Sequence, residues 1–113
     1  MIEMANSLGY RLICPNRRLY PGSTTYTEEE VDSFRHINSP EDGAKAYMKQ
    51  GEYLLQFADN MIKEHDLKQV IISGWSLGSG YLSAMTCSLD SASELTKERL
   101  RRSVKALVWN GRF

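Results

Sequence analysis

The sequence predicts an α/β protein with a parallel three-stranded sheet, in the order β-α-β-α-β with crossover helices. Three short apolar runs, at residues 10–15, 69–74 and 104–109, have the length and composition of strands. Segments with helical periodicity separate these runs. Strands that alternate with helices are typical of parallel sheets with right-handed crossovers, and one domain is expected over residues 1–113.

The first predicted strand is the run Y-R-L-I-C-P, which ends at a proline as a short buried strand often does. Residues 1–8 before it have the pattern of the last turns of a helix. Residues 16–26 contain Pro21, Gly22 and Ser23 and show no apolar period, so they are predicted to form a loop.

Two helices, at residues 28–36 and 40–65, are predicted from their N-terminal signals. Thr27 and Glu30 have the spacing of a capping box. Ser39 is a good N-cap residue, and a proline follows it at the first helical position, where a missing N–H costs nothing. In the long helix, apolar positions recur at steps of three and four and define one face, which we expect to pack on a sheet. These positions are Ala44, Met48, Gly51, Leu55, Ala58 and Ile62.

The second half of the chain predicts a strand, a helix and a final strand. The β-branched run at residues 69–74 carries apolar residues on both faces, as a central parallel strand does. Helical periodicity resumes at residues 77–89, residues 88–93 are a polar linker, and the run V-K-A-L-V-W is the third strand.

Composition excludes several classes of function. Fourteen basic and fourteen acidic side chains cancel, so no nucleic-acid partner is expected. The charges of residues 94–105 mix both signs, as a solvated helix face does. Residues 1–5 resemble neither a signal peptide nor an anchor, so a cytoplasmic location without a membrane partner is expected. Cys14 and Cys87 are predicted to be buried and reduced, and neither a metal nor a cofactor is expected.

The motif G-x-S-x-G occurs where the second predicted strand turns into a helix, as Gly74-Trp75-Ser76-Leu77-Gly78. In this context the motif is a nucleophile elbow, in which a strained turn presents the serine hydroxyl above the sheet. Ser76 is therefore the candidate nucleophile, and the backbone N–H of Leu77 is the candidate oxyanion donor. Gly74 and Gly78 are expected to be structural, because a Cβ at either position would collide as strand and helix converge.

Three alternatives remain open. The motif could be a glycine-rich turn with an incidental serine. Residues 73–80 also fit the glycine pattern of a dinucleotide-binding loop, through Gly74, Gly78 and Gly80, with Arg112 on a 2′-phosphate. Against that reading, such a loop normally opens its domain. The third alternative is a non-catalytic remnant or interaction module, since a three-stranded piece would leave sheet edges unpaired and favour self-association.

These features resemble the α/β-hydrolase superfamily over essentially the whole chain. After the fourth strand many members carry the loop D-x-R-G-x-G-x-S, and here Asn16, Arg18 and Ser23 stand at its Asp, Arg and Ser. Leu19 and Pro21 replace its two glycines. The variant R-R-x-Y-P-G-S-T, followed later by G-W-S-L-G, is similar to fungal members.

The resemblance implies a central fragment of the α/β-hydrolase fold that spans family strands four to six. It implies hydrolysis of a small-molecule ester or amide through an acyl-enzyme on Ser76. The family's second oxyanion donor follows strand three, upstream of residue 1.

The family's catalytic acid and histidine follow the nucleophile along the chain. After Ser76 the acidic residues are Asp90, Glu94 and Glu98, and there is no histidine. Asn110 stands where some members place the acid. The chain is therefore expected to be weakly active or inactive.

Two histidines precede the motif. His65 is expected at the far end of the elbow strand, about 17 Å from Ser76. His36 lies in a connection on the elbow's side of the predicted sheet, but no carboxylate is positioned behind it. We expect neither to act as the base.

Overall fold

The computed structural model describes residues 2–15 and 21–111, and the chain divides into two compact units, Met1–Asp32 and Ser33–Phe113. Helices dominate the described residues, which also include two strands. The elements are α1 Ile2–Ser7, α2 Glu28–Arg35, α3 Pro40–His65, β1 Val70–Trp75, α4 Leu77–Ser88, a 3-10 turn Leu89–Ser91, α5 Glu94–Ser103 and β2 Val104–Asn110.

The predicted strand at residues 10–15 is wrong. Helix α1 ends in a Schellman motif, in which the Tyr10 N–H donates to Ala5 O at 2.8 Å and Gly9 has a φ of 79°. Residues 10–15 then continue without regular structure, and Tyr10 is 60% exposed. The apolar run suggested burial, but a strand also needs a neighbour to accept its hydrogen bonds. Among the described residues none pairs with this segment.

The predicted fold class, a partial α/β-hydrolase fold with a three-stranded sheet, is therefore wrong. The described residues contain one two-stranded sheet, in which β1 pairs with β2 in parallel. In its register Ile72 lies beside Leu107 and Trp75 beside Asn110, with an irregularity at the start of β1. The apolar pattern of β1 predicted a central strand covered on both faces. One face packs on the core, whereas the other leaves Ile71 56% exposed.

Helices α2 and α3 form where their capping signals predict them. In the capping box, the Thr27 N–H donates to Glu30 Oε1 at 3.1 Å and the Glu30 N–H donates to Thr27 Oγ1 at 3.2 Å. The Ser39 hydroxyl accepts the Asp42 N–H at 3.2 Å. Helix α3 ends at His65, and the C-cap residue Asp66 adopts a left-handed conformation with φ 49°. These contacts are local, so the sequence alone identifies both starts.

The apolar face of α3 packs mainly against helix α4, which corrects the expectation that it packs on a sheet. Gly51 lies so close to α4 that a Cβ there would overlap the carbonyl group of Ala84. Ala44, at the first position of the predicted apolar face, is exposed. The close approach of two helix backbones thus explains Gly51.

Apolar side chains from three helices form the centre of the second unit. An ion pair connects α3 to α5, because Arg99 Nε donates to the buried Asp59 Oδ1 at 2.6 Å. Thr96 Oγ1 donates to the other oxygen of the same carboxylate at 3.1 Å. The buried core residues are Leu55, Ile62, Leu82, Met85 and Leu100.

The predicted linker at residues 88–93 is more ordered than expected. Ser88 is 1% exposed, and its hydroxyl donates to Ala84 O at 2.7 Å before the chain forms the 3-10 turn. Helix α5 then carries the mixed charges, with Arg101 Nη1 3.0 Å from Glu98 Oε2.

Two further sequence expectations concern the cysteines and membrane-spanning helices. Cys14 and Cys87 are both exposed, so their predicted burial is wrong. None of the helices in the described part of the chain is both long enough and apolar enough to cross a membrane.

Candidate active site

The turn between β1 and α4 places Ser76 in an unusual backbone conformation. Its φ of 52° and ψ of −117° are close to those of the first central residue of a type II′ turn, a position that favours glycine. Ser76 nevertheless carries a Cβ, and its side chain is exposed. Strain at a residue that presents a hydroxyl to solvent is the local geometry that the elbow motif predicts.

The two motif glycines have different roles. A Cβ on Gly74 would lie 2.5 Å from the carbonyl oxygen of Gly78, so the predicted steric reason holds there. A Cβ on Gly78 would meet no atom within 4 Å beyond its neighbours and its own helix backbone. The steric expectation for Gly78 is therefore wrong, because it is the carbonyl group of Gly78 that approaches the strand.

Hydrogen bonds to the end of β2 hold the turn. The Ser76 N–H donates to Asn110 O at 2.7 Å, and the Ser79 N–H donates to Ser76 O at 2.8 Å. The hydroxyl of Ser79, which is buried, lies 3.0 Å from both Gly74 O and Asn110 O. Sequence reasoning missed Ser79 because one of its two partners, Asn110, lies 31 residues away along the chain. The sequence offered one signal for this role, which is a serine directly after the G-x-S-x-G motif.

The Leu77 N–H stands at the start of α4, among the first amides of a helix, which have no acceptor within the helix. The partial positive charge of a helix N-terminus would favour an oxyanion there. The Ser76 side chain makes no capping hydrogen bond. Its hydroxyl is therefore not committed to the helix end, and the predicted roles of Ser76 and Leu77 remain predictions.

Comparison with known proteins adds no assignment. No family model matches the chain. No curated protein and no solved structure matches it either. The resemblance to α/β-hydrolases therefore stays a prediction that depends on the motif and its geometry.

The described residues bring no base to Ser76. His65 ends α3 shortly before β1 begins, whereas Ser76 follows the last residue of β1. His36 lines a surface pocket of about 280 Å³ with Asp42 and Lys45, and Ser76 does not line that pocket. Among residues 33–111, no imidazole or carboxylate is hydrogen-bonded to the Ser76 hydroxyl.

The acidic residues that follow the motif, which are the candidates for the catalytic acid, do not take part in the hydrogen bonds of Ser76. Glu94 Oε1 lies 3.5 Å from Lys97 Nζ, and Glu98 pairs with an arginine on the same helix. Asp90 lies in the 3-10 turn. Asn110 uses its side-chain amide to donate to Ser73 Oγ at 2.9 Å, which links the ends of the two strands.

Several sequence expectations cannot be placed. Asn16, Arg18 and Leu19 of the loop resemblance, and Arg112 of the dinucleotide alternative, lie outside the described residues. Gly80 lies within α4. No group of three or more metal-ligating side chains occurs among the residues that the structure describes.

Proposed function

We propose that Ser76 is the nucleophile position of a serine hydrolase-like site that acts on the acyl bond of a small-molecule ester or amide. The backbone conformation of Ser76 carries the proposal. A residue with a Cβ is held at φ 52° and ψ −117° between a strand and a helix, with its side chain exposed. Such strain persists only where the surrounding structure enforces it, and it concentrates at functional sites.

In the proposed reaction, Ser76 Oγ bonds to the acyl carbon while its proton passes to a base. The electron pair of the C=O bond moves to the oxygen, which the Leu77 N–H would bind. The intermediate then collapses, and the alcohol or amine leaves with a proton. Water cleaves the acyl-serine ester and restores the hydroxyl.

The site as described lacks the base that this reaction needs. A serine hydroxyl without a base is a weak nucleophile, and loss of triad members lowers the rate by several orders of magnitude. We therefore expect the purified chain to hydrolyse an activated ester, such as a nitrophenyl acetate, no faster than the Ser76→Ala variant. A Ser76-dependent rate that survives further purification would contradict this expectation.

Stoichiometric labelling tests the nucleophile position without requiring turnover. A fluorophosphonate is added with imidazole as an external base, so that Ser76 Oγ bonds to phosphorus, fluoride leaves and imidazole takes the proton. Trypsin then releases residues 69–97 as one peptide, in which Ser76 and six other serines are compared by fragment mass spectrometry. The exposed Ser91 is the internal control.

We expect Ser76 to be labelled at least about tenfold faster than Ser91, because one oriented oxyanion donor contributes about 10²–10³ in rate. The Ser76→Ala variant should lose this signal and keep the slow background at Ser91. Equal labelling of the two serines in the unmodified chain would refute the nucleophile proposal.

Self-association through the sheet is a second candidate, favoured by the uncovered sheet face. Ile71 and Trp75 of β1 and Val108 of β2 point to this face and are 56%, 73% and 37% exposed. Both strands also have an unpaired edge among the described residues. Size-exclusion chromatography with light scattering should show concentration-dependent oligomers that Val108→Lys disperses. A monodisperse monomer at high concentration would contradict it.

The dinucleotide-binding alternative stays a prediction. In that function the glycines would admit a pyrophosphate to the helix N-terminus. Titration with NADPH tests it directly, and an unchanged cofactor fluorescence would exclude it.

A further inference from the structure

We propose that Ser79 is a positioning residue, which holds Ser76 in its strained conformation through the main chain of Asn110 and Gly111. We call these three groups the clasp: the Ser79 hydroxyl, the Asn110 carbonyl group and the Gly111 main chain. The part of this proposal that concerns positioning of the nucleophile rests on the proposed function. Its structural part, that the clasp maintains the strain, can be tested without any reaction.

The Asn110 carbonyl oxygen connects β2 to both sides of the turn. It accepts the Ser76 N–H at 2.7 Å and lies 3.0 Å from Ser79 Oγ. A carbonyl oxygen has two lone pairs, so it can accept both donors. The Ser79 hydroxyl has one proton, shared between Asn110 O and Gly74 O at equal distances. It therefore bridges the ends of both strands.

Because Ser79 is buried, its hydrogen bond should contribute more to stability than an exposed one would. Its side chain belongs to a residue that is 5% exposed, so water cannot easily replace the hydroxyl. If the hydroxyl is deleted, two strand-end carbonyl groups lose a donor in a buried site. No other side-chain donor to either carbonyl is present in the described part of the chain.

Gly111 completes the clasp through its backbone conformation, since its φ of 82° favours glycine. A Cβ there would be in ordinary van der Waals contact with Ser76, 3.4 Å from its N and 3.6 Å from its Cα. The main chain of Gly111 therefore lies beside that of Ser76 as the chain leaves β2. Ser79 thus bonds to the strand end that adjoins the main chain of Ser76.

A double-mutant cycle between Ser79 and Ser76 tests whether the clasp maintains the strain. In the unmodified chain, Ser79→Ala should let Ser76 relax, and the recovered strain should offset part of the lost stability. In a Ser76→Gly background no strain is present to recover. Ser79→Ala should therefore raise the unfolding equilibrium constant in both backgrounds. We expect the factor by which it rises to be at least about five times larger in the Ser76→Gly background than in the unmodified chain.

Equal factors in the two backgrounds would overturn the clasp. Ser88→Ala is the matched control, because Ser88 is also a buried serine of α4 and its hydroxyl lies 2.7 Å from Ala84 O and 3.3 Å from Met48 O, neither of which belongs to the turn or to β2. We expect its effect to be the same in both backgrounds.

The labelling experiment tests the positioning role separately. Ser79→Ala should reduce the preference of the fluorophosphonate for Ser76 over Ser91, whereas Ser88→Ala should retain it. The ratio is compared under conditions in which circular dichroism shows every variant to be fully folded, because an unfolded fraction would label both serines at the background rate and lower the ratio by itself. An undiminished ratio in Ser79→Ala would overturn the positioning role. If the unmodified chain shows no preference, the nucleophile proposal fails and the positioning role with it, while the thermodynamic cycle still decides whether the clasp maintains strain.

Discussion

Replacing Ser76 by glycine should stabilise the protein. The backbone strain at φ 52° and ψ −117° costs a residue with a Cβ about 1–3 kcal/mol. Glycine adopts this conformation without strain but loses about 0.5–1 kcal/mol more than alanine through the entropy of the unfolded chain. The net expectation is a gain of about 0.5–2 kcal/mol in the free energy of unfolding.

Thermal and urea unfolding followed by far-ultraviolet circular dichroism measure this gain. For a chain of this size, each kcal/mol raises Tm by about 4–8 °C. Ser76→Ala is the matched control, because it removes the exposed hydroxyl but keeps the Cβ and hence the strain. Its stability should stay within about 0.5 kcal/mol of the unmodified chain. A Ser76→Gly variant no more stable than Ser76→Ala would refute the interpretation of this turn as strained.

Three further predictions follow from close contacts and are measured by the same unfolding assays. Gly74→Ala should destabilise the protein by about 1–3 kcal/mol through overpacking against α4, whereas Gly78→Ala should leave the stability unchanged or raise it by up to about 1 kcal/mol through helix propensity. The reverse order would contradict the steric role of Gly74. Gly51→Ala should also cost at least about 1–3 kcal/mol, because two helix backbones must separate, and an unchanged Cm in urea would show that they are further apart. Asp59→Ala should lower the free energy of unfolding by about 1–3 kcal/mol, because it leaves the donors to this carboxylate unpaired, whereas Glu98→Ala, which breaks exposed ion pairs, should lower it by under about 1 kcal/mol. Similar losses would show that burial of the Asp59–Arg99 pair is unimportant.

The sequence could predict those parts of the structure that depend on near neighbours. The starts of α2 and α3 were predictable because Thr27 and Ser39 bond to residues three positions away. The position of the elbow was predictable because its motif is one short glycine-containing segment, although bonds to β2 also hold the turn. Local hydrogen bonds and sterics therefore identify these elements without knowledge of the rest of the fold.

Features that depend on distant partners could not be predicted. Residues 10–15 have the composition of a strand, but no property of that segment reveals whether a second strand lies beside it. The apolar residues on both faces of β1 likewise did not show that one face would be uncovered. The role of Ser79 depends on a carbonyl group at the end of β2, which no local pattern indicates.

The hydrogen bond from the Ser76 N–H to Asn110 O has a consequence for the order of folding. Its two residues are far apart in sequence, so the bond can form only after β2 has paired with β1. Closing such a chain segment costs entropy before the contact stabilises anything, which makes long-range pairing a slow step. During synthesis, the segment around Ser76 would therefore emerge with an ordinary, relaxed backbone. It would acquire its unusual conformation only when β2 docks, so a misfolded or partly folded chain would not present this serine in its strained form.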